Sequence, residues 1–395
     1  MPSNEIRLSR PRTAGAGSFE YSARLINNPP FSCSNIVLQI IIVKPDRPIP
    51  SPQGTETVKP ASIYDVAKAA GVSIKTVSRV VNRQSNVSEG TRTRVLAAVK
   101  ALSYRPNVFA RGLASEHSYL IGLLYDDPTG SYIPAIQIGV VNRCRDEGYH
   151  LIVEQIDTQD ADLSRNVYRL AMGSSLYGVI LTPPVCDMDT VIEALKKAHT
   201  PFVRIAPGKA MQGTADVKID DFKAAFDMTA YLIGLGHKRI GFIKGKVGHV
   251  AAAARFEGYK AALIQNGIAF AEELCAQGKF SYQSGLEAGE QILSLKPRPT
   301  AIFAANDDMA AAVLATSQRF NLKIPQQLSV AGFDDSIVAQ LVWPRLTTCR
   351  QPLREMAEAA VSILTQRRQE EGPVERKLDH ELIVRESTAP PEGVS

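Results

Sequence analysis

Ile63-Tyr64-Asp65-Val66-Ala67-Lys68-Ala69-Ala70-Gly71-Val72-Ser73-Ile74-Lys75-Thr76-Val77-Ser78-Arg79-Val80-Val81-Asn82 is the stretch that decides how the N-terminal part of the chain folds. Ile63, Val66, Ala67 and Ala70 recur at i, i+3, i+4 and i+7, one narrow apolar face of a short helix that Ser62 is placed to cap. Gly71 supplies a left-handed turn residue, Val72 packs inward, and Ser73 caps a second helix running through Val77, Val80 and Val81. The small Ala67 opposite the glycine turn lets the two helices cross closely. After Ser88, the residues Val95, Ala98, Val99 and Leu102 repeat the spacing, so a third helix completes a small core of helix-turn-helix type.

Charge separates this unit from the rest. Residues 58–117 hold ten Lys/Arg against three Asp/Glu, a local +7; residues 1–57 carry +2 and residues 118–395 carry −4, within a net +5. A basic head on an acidic body points to nucleic acid as the partner of the head. Lys75 and Arg79, four apart and directed away from Val77 and Val81, share the outward face of the second helix and can reach guanine O6/N7 in a major groove. Ser62, Ser73, Thr76, Ser78 and Asn82 suit phosphate contacts or adenine edges. The competing reading is a protein-binding three-helix bundle with a solvated charged face.

Pro106–Ala114 is too short and too interrupted by Gly112 to hold a helix alone in water. A segment that orders on DNA, pairs with its copy in a dimer and wedges Leu113 into a minor groove fits this composition; a plain interdomain linker fits the spacing too.

From Leu120 onward, apolar runs alternate with amphipathic stretches: Leu120–Tyr125, Leu151–Ile156, Gly178–Leu181, Phe202–Ile205, Ile240–Ile243, Ala301–Ala304 and Leu328–Phe333. Such alternation predicts βαβ units and mainly parallel sheets. The series pauses over Pro207–Asp221, after about four units, and resumes with a helix over Asp221–Leu235. Two similar α/β lobes follow, with a ligand expected beyond the carboxyl ends of the strands.

The expected organisation is thus a disordered extension at 1–57, or one preceding a true start near Val58; a helix-turn-helix domain at 58–104; a hinge at 105–117; a two-lobed body at 118–387; and a tail at 388–395. Lobe 1 takes about 118–219 and about 350–372; lobe 2 takes about 220–349 and about 373–387. With 45% hydrophobic and 22% charged residues the chain has an ordinary globular composition. Its five scattered cysteines show no metal-ligand spacing or disulfide framework. Neither a membrane span nor a signal peptide is visible, which makes the cytoplasm the expected location. The tail lacks apolar heptads, so no tetramerising coil is expected.

Ile63–Asn82, continued by Val87–Ser88, Thr91–Arg92 and Tyr104–Asn107, closely resembles the LacI/GalR repressor family. The likeness runs from residue 62 to about 387, with landmarks at Leu235–Ile243, Arg255–Tyr259, Ala305–Asp308 and Val330–Asp335. It implies a homodimer whose body is like a periplasmic sugar-binding protein, docked on a pseudo-palindromic operator, with an effector, a sugar or sugar derivative, shifting the body. On matching positions Ile74, Lys75 and Arg79 become base readers, and Asn107, Ala110 and Leu113 the minor-groove residues of the hinge. Ile74 departs from the polar or tyrosyl residue often found there.

The same resemblance places Arg255, Asn306, Asp334 and Gln351 at polar ligand positions, and their donor fork, amides and carboxylate suit a polyhydroxylated ligand. Phe280 lies near an aromatic stacking position, and Asp126, Asp127 and Tyr132 follow the first strand of the body. The alanines at 251–254 replace a hydroxyl that some relatives use, so no particular sugar is singled out. An exported solute receptor would share both lobes, but it would need a signal peptide and should lack the basic head. No dinucleotide fingerprint, phosphate loop, nucleophile elbow or zinc-protease motif is present, and the carboxylate pairs Asp126/Asp127 and Asp334/Asp335 have no nucleophile beside them; neither enzyme activity, cofactor nor metal is expected.

Overall fold

The computed structural model describes residues 61–81, 86–104, 118–126, 130–174, 176–366 and 374–392. The N-terminal extension, the hinge, and the candidate residues Asn82, Asn107, Ala110, Leu113 and Asp127 lie outside them.

Three helices form the head: α1 (Ile63–Ala70), α2 (Ile74–Val81) and α3 (Glu89–Ala101). Their core is Val66, Ala67, Ala70, Val77, Val80, Val95 and Ala98, with Val72, Val81, Val99 and Tyr104 packed around it. The α1 cap is reciprocal: the Asp65 amide donates to Ser62 Oγ, and the Ser62 amide donates to Asp65 Oδ2 at 2.8 Å. Gly71 takes φ +64, the left-handed turn that the spacing calls for. Leu102 departs from expectation: it falls at the C-cap of α3 and is exposed, and Tyr104 packs on the core instead.

The body holds two six-stranded sheets. The first is built from β1 (Leu120–Tyr125), β2 (His150–Gln155), β3 (Gly178–Leu181), β4 (Phe202–Ile205), β5 (Ala215–Lys218) and, from near the C-terminus, β11 (Val374–Lys377), in the order β11-β5-β4-β3-β1-β2. The second is built from β6 (Ile240–Lys244), β7 (Cys275–Gln277), β8 (Ala301–Ala304), β9 (Ser329–Asp334), β10 (Thr347–Arg350) and β12 (Glu381–Ile383), in the order β12-β10-β9-β8-β6-β7. All pairings are parallel except β10 with β12. Helices cover both sheets, among them α4 (Tyr132–Glu147), α5 (Leu163–Gly173) and α6 (Asp189–Lys197) in lobe 1. Lobe 2 carries α7 (Asp221–Gly234), α8 (Val250–Gln265), α9 (Tyr282–Leu293), α10 (Asp307–Arg319) and the short α11 (Ile337–Leu341), while α12 (Leu353–Gln366) returns to pack on α4. The strands β1, β3, β4, β8 and β9 are buried along nearly their whole length, as expected where helices cover both faces.

The chain crosses between lobes after β5, after β10 and again between β11 and β12. The last crossing falls later than the sequence suggested. Val374–Lys377 pairs with Ala215–Lys218, so the lobe 1 sheet extends to Lys377 rather than ending near residue 372. Val374–Lys377 is a short charged edge strand, tied to β5 by Lys218 Nζ to Glu375 at 3.0 Å, and carries no apolar run to betray it. The body also reaches past residue 387: Thr388 shares a hydroxyl hydrogen bond with Thr347 at 2.8 Å, and the buried His237 ring contacts the Ala389 carbonyl at 3.0 Å.

At the amino ends of lobe 1, Tyr119, Tyr149 and Tyr177 each immediately precede one of three adjacent strands, with ring centroids 5.7 and 4.8 Å apart. The opposite, carboxyl ends of both sheets face each other, which puts the cleft at the switch points beside β1 and β6.

Candidate functional site

In the head, α2 is amphipathic in the sense that a major-groove reader needs. Val77 and Val80 are buried, Lys75 is exposed and Arg79 half-buried, while Ile74 at the first turn is 39% exposed. Ser73 Oγ accepts from the Thr76 amide at 3.2 Å and shares a 2.9 Å hydrogen bond with the Thr76 hydroxyl, so these two side chains, like Ser62, also serve as caps. Ser78 is half-buried on the same helix. Tyr64 on α1 is 68% exposed, an aromatic that the apolar periodicity passed over.

In the body, a cavity of about 120 Å³ lies between the strand ends of the two lobes. All seven described effector candidates line it: Asp126 and Tyr132 from lobe 1, and Arg255, Phe280, Asn306, Asp334 and Gln351 from lobe 2 and its return. They do not play equal parts. Arg255 is buried, with Nε donating to Asp221 at 2.8 Å, Nη1 donating to the Ala305 carbonyl at 2.7 Å, and the guanidinium lying 3.7 Å over the Phe333 ring. Asp334 ends β9 at φ +113 and sits 3.9 Å from Arg255 Nη1. Burial pushes its carboxyl up to about 7 against the pull of Arg255.

Asn306 is already engaged on both sides of its amide. Its Oδ1 accepts from the Met309 amide at 3.1 Å, capping α10, and its Nδ2 donates to the Phe280 carbonyl at 2.9 Å. It positions the Phe280 backbone more than it offers free groups. The Phe280 ring rests on Gly245, where a Cβ would come within 2.2 Å of Cζ, so only glycine leaves room for it.

The sequence missed His249, one of the cavity's lining residues. Its ring meets Phe280 edge-on at 5.0 Å, and burial, aided by Arg255 and Lys246, drives its pKa down to about 4, which keeps it neutral. A signal was available: His249 is the N-cap of α8, six residues before Arg255 on that helix. Asp308 also lines the cavity and was quoted only as part of a motif.

Three atoms give the cavity its character. Tyr132 Oη, His249 Nδ1 and Gln351 Oε1 are buried with no hydrogen-bond partner, out of five such side-chain atoms among the described residues. Buried polar groups are nearly always paired, and each orphan costs about 1–3 kcal/mol. Three of the five converge on this one cavity. A second hollow of about 270 Å³ flanks the first turn of α8, but there Lys377 is paired with Asp220 at 2.7 Å and Lys218 with Glu375. None of its lining atoms is orphaned.

Residues 62–107 match the model of bacterial regulatory proteins of the lacI family, and residues 229–388 match the periplasmic binding protein-like domain. Catabolite control protein A of Priestia megaterium is 34% identical over 330 residues, covering 83% of this chain and 99% of that protein. The chain belongs to the lacI family. Among solved structures, a CelR–cellobiose complex is 30% identical with a TM-score of 0.62, covering 83% of this chain and 99% of that one. The lac repressor dimer bound to operator and the anti-inducer ONPF is 28% identical with a TM-score of 0.68, covering 84% and 100%. The lacI-family assignment accounts for both halves of the architecture, a helix-turn-helix head and a two-lobed parallel α/β body. No helix among the described residues is long and apolar enough to cross a membrane.

Proposed function

We propose that this lacI-family member is a homodimeric cytoplasmic transcriptional regulator, acting as a repressor, whose affinity for a pseudo-palindromic operator is set by a sugar or sugar derivative in the body cleft. The orphaned trio Tyr132, His249 and Gln351 carries the effector half of this reading. A carbonyl oxygen, a neutral imidazole nitrogen and a phenol, beside the carboxylates of Asp334 and Asp308, make an acceptor-rich wall that suits a ligand bearing many hydroxyl donors. Phe280 offers an apolar ring to a sugar face. The cellobiose in the CelR complex supports the ligand class, and the operator in the lac repressor complex supports the DNA half.

On the DNA side, Ile74, Lys75 and Arg79 are the readers of base edges, and Ser62, Ser73, Thr76, Ser78 and Asn82 meet phosphates. The hinge residues Asn107, Ala110 and Leu113 complete the contact in the minor groove. No catalysis is required of any of these groups.

A thermal-shift screen of the full chain against pentoses, hexoses, disaccharides and sugar acids tests the cleft. A ligand at 100 times its Kd adds about 2.7 kcal/mol to stability. The same compound should then change operator retardation on a gel, because only a ligand that binds two conformations differently can shift them. A stabilising sugar that leaves operator affinity untouched would overturn the regulatory reading. A panel that gives no shift at all would overturn the ligand class.

A further inference from the structure

Around the mouth of the cleft, the two lobes touch through groups of the chain itself. Lys246, just past β6 in lobe 2, places Nζ 2.9 Å from Asp126 Oδ2 at the end of β1 in lobe 1. Asp126 is braced for this, its other oxygen accepting from Thr158 Oγ1 at 3.1 Å. Nearby, α4 of lobe 1 begins without a cap of its own, since the side chain of Ser131 makes no capping bond. Instead the carboxylate of Asp308, a residue of α10 in lobe 2, lies against the turn that opens α4, where burial raises its pKa and the Ser131 backbone partly offsets that rise. Gly130 makes that approach possible: it holds φ +82, and a Cβ there would lie 3.2 Å from Asp308 Oδ2.

A helix start leaves its first amides unsatisfied and carries partial positive charge, which a carboxylate stabilises. Here the carboxylate comes from the other lobe. A third contact closes the ring: Gly208 of lobe 1 meets Val250 of lobe 2 so tightly that a Cβ on the glycine would come within 1.9 Å of Val250 Cβ.

We infer that Asp308 and Lys246 form a two-point clasp, reaching from lobe 2 to the start of α4 and to Asp126, that holds the cleft closed through the protein's own groups. Opening the lobes breaks both points together, because each joins rigid elements of different lobes. Effector affinity then includes the work of keeping or breaking the clasp, and the two residues act as positioning residues for the closed state. The clasp does not depend on which ligand the cleft accepts.

Hydrogen–deuterium exchange on the full chain without any ligand tests this, so its outcome is separate from that of the sugar screen. The readout is the amide protection of Ser131 and of the first turn of α4, with β9 as the internal reference. Asp308→Ala should speed exchange at Ser131 about tenfold, and Asp308→Asn, which keeps the shape and a neutral acceptor, should fall between it and the parent. Lys246→Met is the deciding variant. Lys246 pairs with Asp126 rather than with α4, yet its loss should also speed exchange there about tenfold, because it removes the other point of the same closure. If Lys246→Met leaves the protection of Ser131 unchanged, Asp308 is only a local cap and the clasp is wrong. Lys246 is about half exposed, so this variant remains available if Asp308→Ala fails to fold.

Discussion

Gln351 donates from Nε2 to Asp334 Oδ1 at 2.7 Å, and in doing so turns its own carbonyl oxygen into the cavity without a partner. One contact therefore does two things: it fixes which end of the amide a ligand meets, and it supplies Asp334 with a donor that partly offsets the burial of its carboxyl. A hydroxyl group entering the cleft finds an acceptor already oriented by the pair.

Replacing Gln351 by Met tests this division. The substitution keeps the volume but removes both the donor to Asp334 and the acceptor for the ligand. Effector affinity should fall about tenfold or more, equivalent to losing a hydrogen bond worth roughly 1.5 kcal/mol. Calorimetric titration with the best sugar of the screen reads this directly. Unchanged affinity would remove Gln351 Oε1 from the ligand contacts.

Arg79→Ala addresses the head. If Arg79 reads a base edge, binding to the operator should weaken by about 1–3 kcal/mol while one half-site position loses its base preference. If Arg79 meets only a phosphate, all sequences should weaken alike and the salt dependence should flatten by about one unit of slope. A randomised half-site selection with parent and variant separates the two. Uniform weakening would strike Arg79 from the readers and leave Lys75 to carry the specificity.

What the sequence disclosed and what it withheld have physical reasons. The strands at Leu120–Tyr125, Gly178–Leu181 and Ala301–Ala304 were legible to the residue because a parallel strand buried on both faces reads as a near-continuous apolar run. The strands at Val374–Lys377 and Glu381–Ile383 were not, because edge strands are short, exposed and charged, and nothing in their pattern distinguishes them from loop. Seven effector candidates converge on one cavity, yet the sequence could not tell the engaged Asn306 from the orphaned Gln351. That difference depends on which partners the fold brings near, as with the Phe280 carbonyl that occupies the Asn306 amide. His249 escaped for a related reason. A lone histidine in a glycine-rich turn carries no periodic signal, its place just before the helix of Arg255 was the one cue, and its packing on Phe280 fixes its place.

Two neighbours in this cavity contribute to the acid response of the body in opposite directions. His249 is held near 4 against an ordinary 6.5, so as pH falls from 6.5 towards 4 the unfolded chain takes up a proton that the folded chain refuses, and stability falls. Asp334 is held near 7 against an ordinary 3.8, so over nearly the same window the folded chain keeps a proton that the unfolded chain has released, and stability rises as pH falls. Each group alone can contribute at most about 1.4 kcal/mol per pH unit. In the parent the two contributions oppose each other between pH 6.5 and 4, alongside those of the raised carboxyls of Asp307, Asp308 and Asp221. His249→Gln should expose the Asp334 slope, making the body more stable at pH 5 than at pH 6.5 relative to the parent. Asp334→Asn should expose the histidine slope and do the reverse. Urea midpoints of the three proteins at pH 5 and 6.5 measure both. If the two variants shift in the same direction, the opposed titrations are not what balances the cleft.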